Sequence, residues 1–133
     1  MSCIFCEIIN GNIPSRKIYE DENSLVFMDI AGDVDGHMLA IPKKHCTNVF
    51  DCDEENLGYV MHAVKTVTTH LKNNCGYDGV NILNASDESA GQTVFHLHFH
   101  IIPRSKSDGI NSFPQYTGAK VDIGETHEKL RIK

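Results

Sequence analysis

The chain has 133 residues, with 12 Lys and Arg against 18 Asp and Glu and a formal charge of -6. That length fits one domain, residues 1–133, with a single core. The acidic balance excludes the broad basic surface that a nucleic-acid polymer needs, because such binding draws on counter-ion release from many phosphates. No apolar stretch is long enough to span a membrane and the first residues lack a secretory pattern, so a cytoplasmic protein with no membrane partner is expected. The cysteines (Cys3, Cys6, Cys46, Cys52 and Cys75) are odd in number and irregularly spread, which argues against a disulfide framework.

In chain order, Cys3 to Ile9 reads as a short helix stopped by Asn10-Gly11. Lys17–Glu20 and Ser24–Asp29 read as a hairpin across the polar turn Asp21-Glu22-Asn23, and His37–Pro42 as a third strand that Pro42 ends. Asp53 to Asn74 is the clearest helix. Asp53 can cap it, Leu57, Val60, Met61, Val64, Val67 and Leu71 recur at helical spacing, and Gly76 follows as a stop. Gly79–Asn84 predicts a fourth strand and Thr93–Ile102 a fifth, joined by a small polar loop from Ala85 to Gly91. The tail, residues 105–133, carries Gly109, Pro114 and Gly118 and a short helix at Glu125–Arg131. Hairpins followed by one long helix and further strands imply an α+β domain, an antiparallel sheet covered by helix.

Within the fifth strand His96, His98 and His100 alternate with Phe95, Leu97, Phe99 and Ile101. A period of two puts the three imidazoles on one face at steps of about 6.5–7 Å and the apolar residues in the core. Groups that titrate near neutrality on a rigid element suit metal ligation, proton transfer or attack on phosphorus. Cys3-x-x-Cys6 supplies two soft ligands for a tetrahedral zinc, to be completed by His45 and one member of the histidine strand. Gly91-Gln92-Thr93 could form a backbone nest for phosphate. His37 is either part of the histidine cluster or a surface residue at a strand end. His62, His70 and His127 read as solvated, and Cys46, Cys52 and Cys75 as small buried hydrophobes.

The string Gly91-Gln92-Thr93-Val94-Phe95-His96-Leu97-His98-Phe99-His100-Ile101-Ile102 resembles the signature of the histidine-triad (HIT) family. The upstream segments agree in order: Cys3-Ile4-Phe5-Cys6 with Ile13-Pro14, then Val26–Ile30, then Gly36–His45. The resemblance is to the bacterial Cys-x-x-Cys type, close to the nucleoside phosphoramidases. It implies a HIT-like fold with a five-stranded antiparallel sheet, one long and one short helix, and a homodimer joined through the long helix and adjoining strand. It also implies hydrolysis of a nucleoside 5′-phosphoramidate or similar nucleotidyl conjugate, with a purine nucleotide as ligand. His98 would be the nucleophile, and His100 with His37 would contact phosphate and move protons. A structural zinc would sit on Cys3, Cys6, His45 and His96. Asp29 would hold the ribose and Phe5, Ile8, Ile13, Phe27, Ile30 and Leu39 the base, while Asn84, Gln92 and Thr93 would hold phosphate oxygens. The enzymatic alternative is a dinucleoside polyphosphate hydrolase or nucleotidyltransferase; Ala85 stands where dinucleoside polyphosphate hydrolases of the fragile-histidine type carry glutamine, which weighs against the dinucleotide reading. A non-catalytic nucleotide- or zinc-binding regulator is the reading from another class.

Overall fold

The computed structural model describes residues 3–133. Its elements are α1 (Ile4–Ile9), β1 (Lys17–Glu20), β2 (Ser24–Met28), β3 (Met38–Pro42), α2 (Glu54–Asn74), β4 (Gly79–Leu83), β5 (Phe99–Arg104) and α3 (Ile123–Leu130). All neighbouring strands are antiparallel, in the order β1-β2-β3-β5-β4. This is the expected α+β architecture, with helix on an antiparallel sheet.

The central strands are covered on both faces, and alternation divides their side chains between two cores. Val26, Met38, Ala40 and Ile101 pack with Val60, Ala63, Val64, Val67 and Leu71 of α2. Leu25, Phe27, Leu39 and Ile41 point the other way, against Phe5 and Ile8 of α1. His100 pairs directly opposite Leu39, so it belongs to the α1 side of the sheet. Helix α2 starts where expected, with the Asp53 carboxylate accepting from the Asn56 amide at 2.7 Å. Met61 leaves the buried stripe and is 37% exposed, because the five buried residues of α2 define a face rotated slightly toward Ala63.

Several boundaries differ from the sequence expectation. Cys3 caps α1 from outside it, its Sγ accepting from the Cys6 amide at 3.5 Å. The strand of histidines begins at Phe99 instead of Thr93. Residues 93–98 form no ladder, since the Leu97 amide donates to the Cys46 carbonyl, in the loop after β3, at 2.8 Å. His100 alone of the three histidines lies on a strand, and Phe95, expected in the core, is 41% exposed. Of Cys46, Cys52 and Cys75 only Cys46 is buried; Cys52 is half-buried and Cys75 exposed, so two were misplaced by the apolar reading. The last helix runs from Ile123 to Leu130, and Asp122 caps it by accepting from the Gly124 amide at 3.0 Å. No helix of the described residues is long and apolar enough to cross a membrane.

Candidate active site and metal centre

Two imidazole clusters meet where the irregular segment 93–98 runs into β5. In the first, His37 sits immediately before β3 and His100 on the neighbouring β5, so the β3–β5 pairing brings together residues far apart in the chain. His37 Nε2 lies 2.8 Å from His100 Nδ1, and His37 Nδ1 lies 2.8 Å from Asp33 Oδ1. His37 is 7% exposed, which overturns the surface alternative. A carboxylate only accepts, so Asp33 keeps the hydrogen on His37 Nδ1 and leaves His37 Nε2 to accept from His100 Nδ1–H. Asp33 in turn is held below the usual carboxylate range by the hydrogen bond from His37. Burial, then the neighbouring His98 and His37, lowers His100 to about 4, so its ring is neutral at physiological pH.

His98 stands beside this pair, its ring centroid 5.0 Å from that of His100 and 5.2 Å from Phe5 in an edge-to-face contact. Its Nδ1 is 2.8 Å from the His96 carbonyl. That oxygen can only accept, so the hydrogen is on Nδ1 and the Nε2 lone pair is free. In its neutral form the ring thus presents one oriented nitrogen lone pair, an arrangement that can serve nucleophilic attack.

His96 faces a different set of partners. It is fully buried, and its Nε2 donates to the Pro42 carbonyl at 2.8 Å, turning the Nδ1 lone pair toward Cys3 Sγ at 3.4 Å, Cys6 Sγ at 3.6 Å and His45 Nδ1 at 3.1 Å. Cys6 Sγ is 3.5 Å from His45 Nδ1. Bonds of about 2.3 Å to sulfur and 2.0–2.1 Å to nitrogen at tetrahedral angles separate ligand atoms by about 3.3–3.8 Å, close to the spacings seen here. The four donors thus fit a closed tetrahedral zinc site, with the Pro42 carbonyl fixing the His96 tautomer as outer partners of metal ligands do. Burial, the nearby Cys3 thiol and Glu7 push the Cys6 thiol up, and burial lowers His96 to about 4. A divalent cation would favour both ligating forms, thiolate and neutral imidazole.

Between α1 and the sheet lies a pocket of about 140 Å³, lined by Phe5, Ile8, Ile13, Phe27, Asp29 and Leu39 among others. Ile30, expected inside it, stands at the rim and is 99% exposed. Asp29 closes one end, with its Oδ1 accepting from the Ala31 amide at 2.9 Å and its Oδ2 3.6 Å from His37 Nε2. Phe5 joins all three features: it lines the pocket and packs edge-on against Phe27, His96 and His98.

Gln92 is the expected phosphate ligand that the structure uses otherwise. It is buried, its Nε2 donates to the carbonyls of Thr47 at 2.7 Å and Val94 at 3.0 Å, and its Oε1 accepts from Asp87 N at 2.7 Å and Asn48 Nδ2 at 3.2 Å. Its backbone amide donates to Asp87 as well, so neither end is free for a ligand. Asn84 Nδ2 donates to the His98 carbonyl at 2.9 Å, and Thr93 is exposed. His62, His70 and His127 are exposed, as expected. Sequence reasoning missed Asp33 and Asn48, both in irregular loops where no periodic pattern marks a residue. The i, i+4 spacing of Asp33 to His37 was the available signal.

A sheet that carries, on its α1 side, clustered imidazoles beside a thiol–imidazole set defines an α+β protein organised around histidine chemistry. The HIT domain profile matches residues 10–107, and the chain belongs to the HIT family. It is 46% identical over 112 residues to the Bacillus subtilis protein named "Protein hit", covering 84% of this chain and 77% of that one. It is 36% identical over 135 residues to adenosine 5′-monophosphoramidase hnt1 of Schizosaccharomyces pombe, covering 100% of this chain and 98% of that one. The zinc-bound histidine triad family protein from Mycobacterium smegmatis superposes with a TM-score of 0.75 at 38% identity, over 84% of this chain and 81% of that one.

Proposed function

We propose that this protein is a nucleotide hydrolase that cleaves a nucleoside 5′-phosphoramidate or a similar nucleotidyl conjugate and releases the nucleoside monophosphate. The observation that carries the reading is the His98 ring, locked through Nδ1 with Nε2 free beside the neutral His100. Kinship with the fission yeast phosphoramidase along the whole chain supports the substrate class.

In this mechanism the apolar pocket takes a purine base, the Asp29 carboxylate accepts from the ribose hydroxyls, and Thr93 with Asn84 meets the phosphate. His98 Nε2 attacks the α-phosphorus, the bond to the leaving amine breaks, and the His37–His100 pair handles the proton that the amine takes. Water then attacks the same phosphorus, displacing His98 and giving the monophosphate. A zinc ion on Cys3, Cys6, His45 and His96 would brace the fold, since a closed shell leaves no position for substrate. The chain would pair with a second copy through α2 and β4: β4 is an edge of the sheet, and Ile82 on it and Met61 on α2 are both exposed.

Turnover of adenosine 5′-phosphoramidate tests the assignment. His98→Ala should abolish it with the fold intact, and wild-type turnover by that variant would end the nucleophile assignment. Rates on a diadenosine polyphosphate, measured side by side, should be much lower than on the phosphoramidate. Protein purified without an affinity tag should hold about one zinc per chain, and Cys6→Ser should hold less. Light scattering at micromolar concentration should give the mass of a dimer.

A further inference from the structure

We propose a second metal site in the catalytic cluster, formed by Asp29, His37 and His100, that takes a first-row transition dication such as zinc or cobalt in an open coordination. Each of the three offers one ligand atom, all within 4.8 Å of one another, and the close approaches run through Asp29 Oδ2, His37 Nε2 and His100 Nδ1. The two nitrogens are 2.8 Å apart, and Asp29 Oδ2 is 3.6 Å from His37 Nε2. Ligands about 2.0–2.2 Å from a common ion are separated by roughly 2.9 Å at right angles and 3.4 Å at the tetrahedral angle, so little movement is needed. Two imidazoles and one carboxylate select a transition ion over magnesium or calcium, which favour all-oxygen sets.

The outer partners are those of a ligating set. Asp33 Oδ1 holds His37 Nδ1–H at 2.8 Å, the carboxylate–histidine arrangement that orients an imidazole toward a metal. The Ala31 amide occupies Asp29 Oδ1 and leaves Oδ2 turned to the histidines. His37 and Asp29 side chains are only 9% and 20% exposed, so the donors are partly dehydrated beforehand. Metal entry requires one tautomer change and no net loss of protons: the hydrogen on His100 Nδ1 moves, by way of solvent, to Nε2. Three protein ligands leave positions for water or phosphate oxygen, and affinity should fall below that of the closed four-ligand site.

If the hydrolase reading holds, the ion takes the proton-handling pair and the ribose carboxylate together, so occupancy inhibits. This consequence rests on that reading; the site itself does not.

Cobalt titration of protein whose Cys3, Cys6, His45 and His96 site is already filled with zinc tests the site. One further equivalent of cobalt should bind, giving weak visible d–d absorption without thiolate charge-transfer bands. His37→Ala and the near-isosteric Asp29→Asn should lose that spectrum while keeping one zinc and a wild-type circular dichroism spectrum. Asp33→Asn should weaken cobalt binding about tenfold. Absence of a second equivalent, cobalt that enters only with thiolate bands and release of zinc, or an unchanged spectrum in both ligand variants would overturn the site. Zinc beyond the first equivalent should inhibit phosphoramidate turnover by the wild type. Complete absence of turnover without added zinc would count against the hydrolase reading and leave the cobalt result to stand alone.

Discussion

Truncating Gln92 separates a structural from a ligand-binding role for the loop before the histidines. In Gln92→Ala four hydrogen bonds are lost, with Thr47 and Val94 carbonyls as acceptors and Asp87 N and Asn48 Nδ2 as donors. At about 1 kcal/mol net each the loss sums to about 4 kcal/mol. Asp87 is exposed and Thr47 half-buried, so water can recover part of this, whereas the 6% exposed Asn48 is left short of a partner. The expected destabilisation is about 2–4 kcal/mol, or roughly 8–16 °C in Tm for a domain of this size. Urea unfolding of the ligand-free protein, with a constant m-value, measures it. A loss below about 1 kcal/mol together with weakened AMP binding would refute the structural assignment and restore Gln92 as a phosphate ligand.

Other predictions concern neighbouring features. Gly36 has φ of +82° and an added Cβ would lie 2.8 Å from Pro103 Cγ, so Gly36→Ala should cost about 2–4 kcal/mol in thermal or urea unfolding and displace His37. His100 titrates at about 4 in the folded protein against an ordinary value of 6.5, so the unfolded chain binds more protons between those values. Metal-free protein should therefore lose stability as pH falls from about 6.5 to 4, and His100→Asn should flatten that part of the profile by denaturant titration at several pH values. Helix α1 has six residues, too few to persist alone, and it carries Cys6 as well as Phe5 and Ile8 of the pocket. Chelating the metal should weaken AMP binding about 5- to 50-fold by calorimetry, and AMP should tighten zinc by the same factor.

The sequence by itself determined the elements and the chemistry on offer. Near-continuous apolar runs in Ser24–Met28 and Met38–Pro42, and helical spacing across Glu54–Asn74, are local patterns, and burial of two faces or of one stripe enforces them. The alternating histidines and Cys3-x-x-Cys6 announced a reactive cluster and a soft-ligand pair without saying which imidazole served which. The family resemblance implied a division among them, and the contacts that separate them come only from the tertiary structure. His96 meets Cys3 across 93 residues and Pro42 across 54, and His37 meets His100 across 63, contacts that depend on strand order and on how the loop after β3 seats the segment before β5. The same long-range seating removed His96 and His98 from the ladder, because the Leu97 amide found the Cys46 carbonyl instead of a strand. It also consumed Gln92, through Asn48 and Thr47. Hydrogen bonds of this kind leave no period in the chain: their partners are chosen by proximity in the folded protein, where buried polar groups must be satisfied.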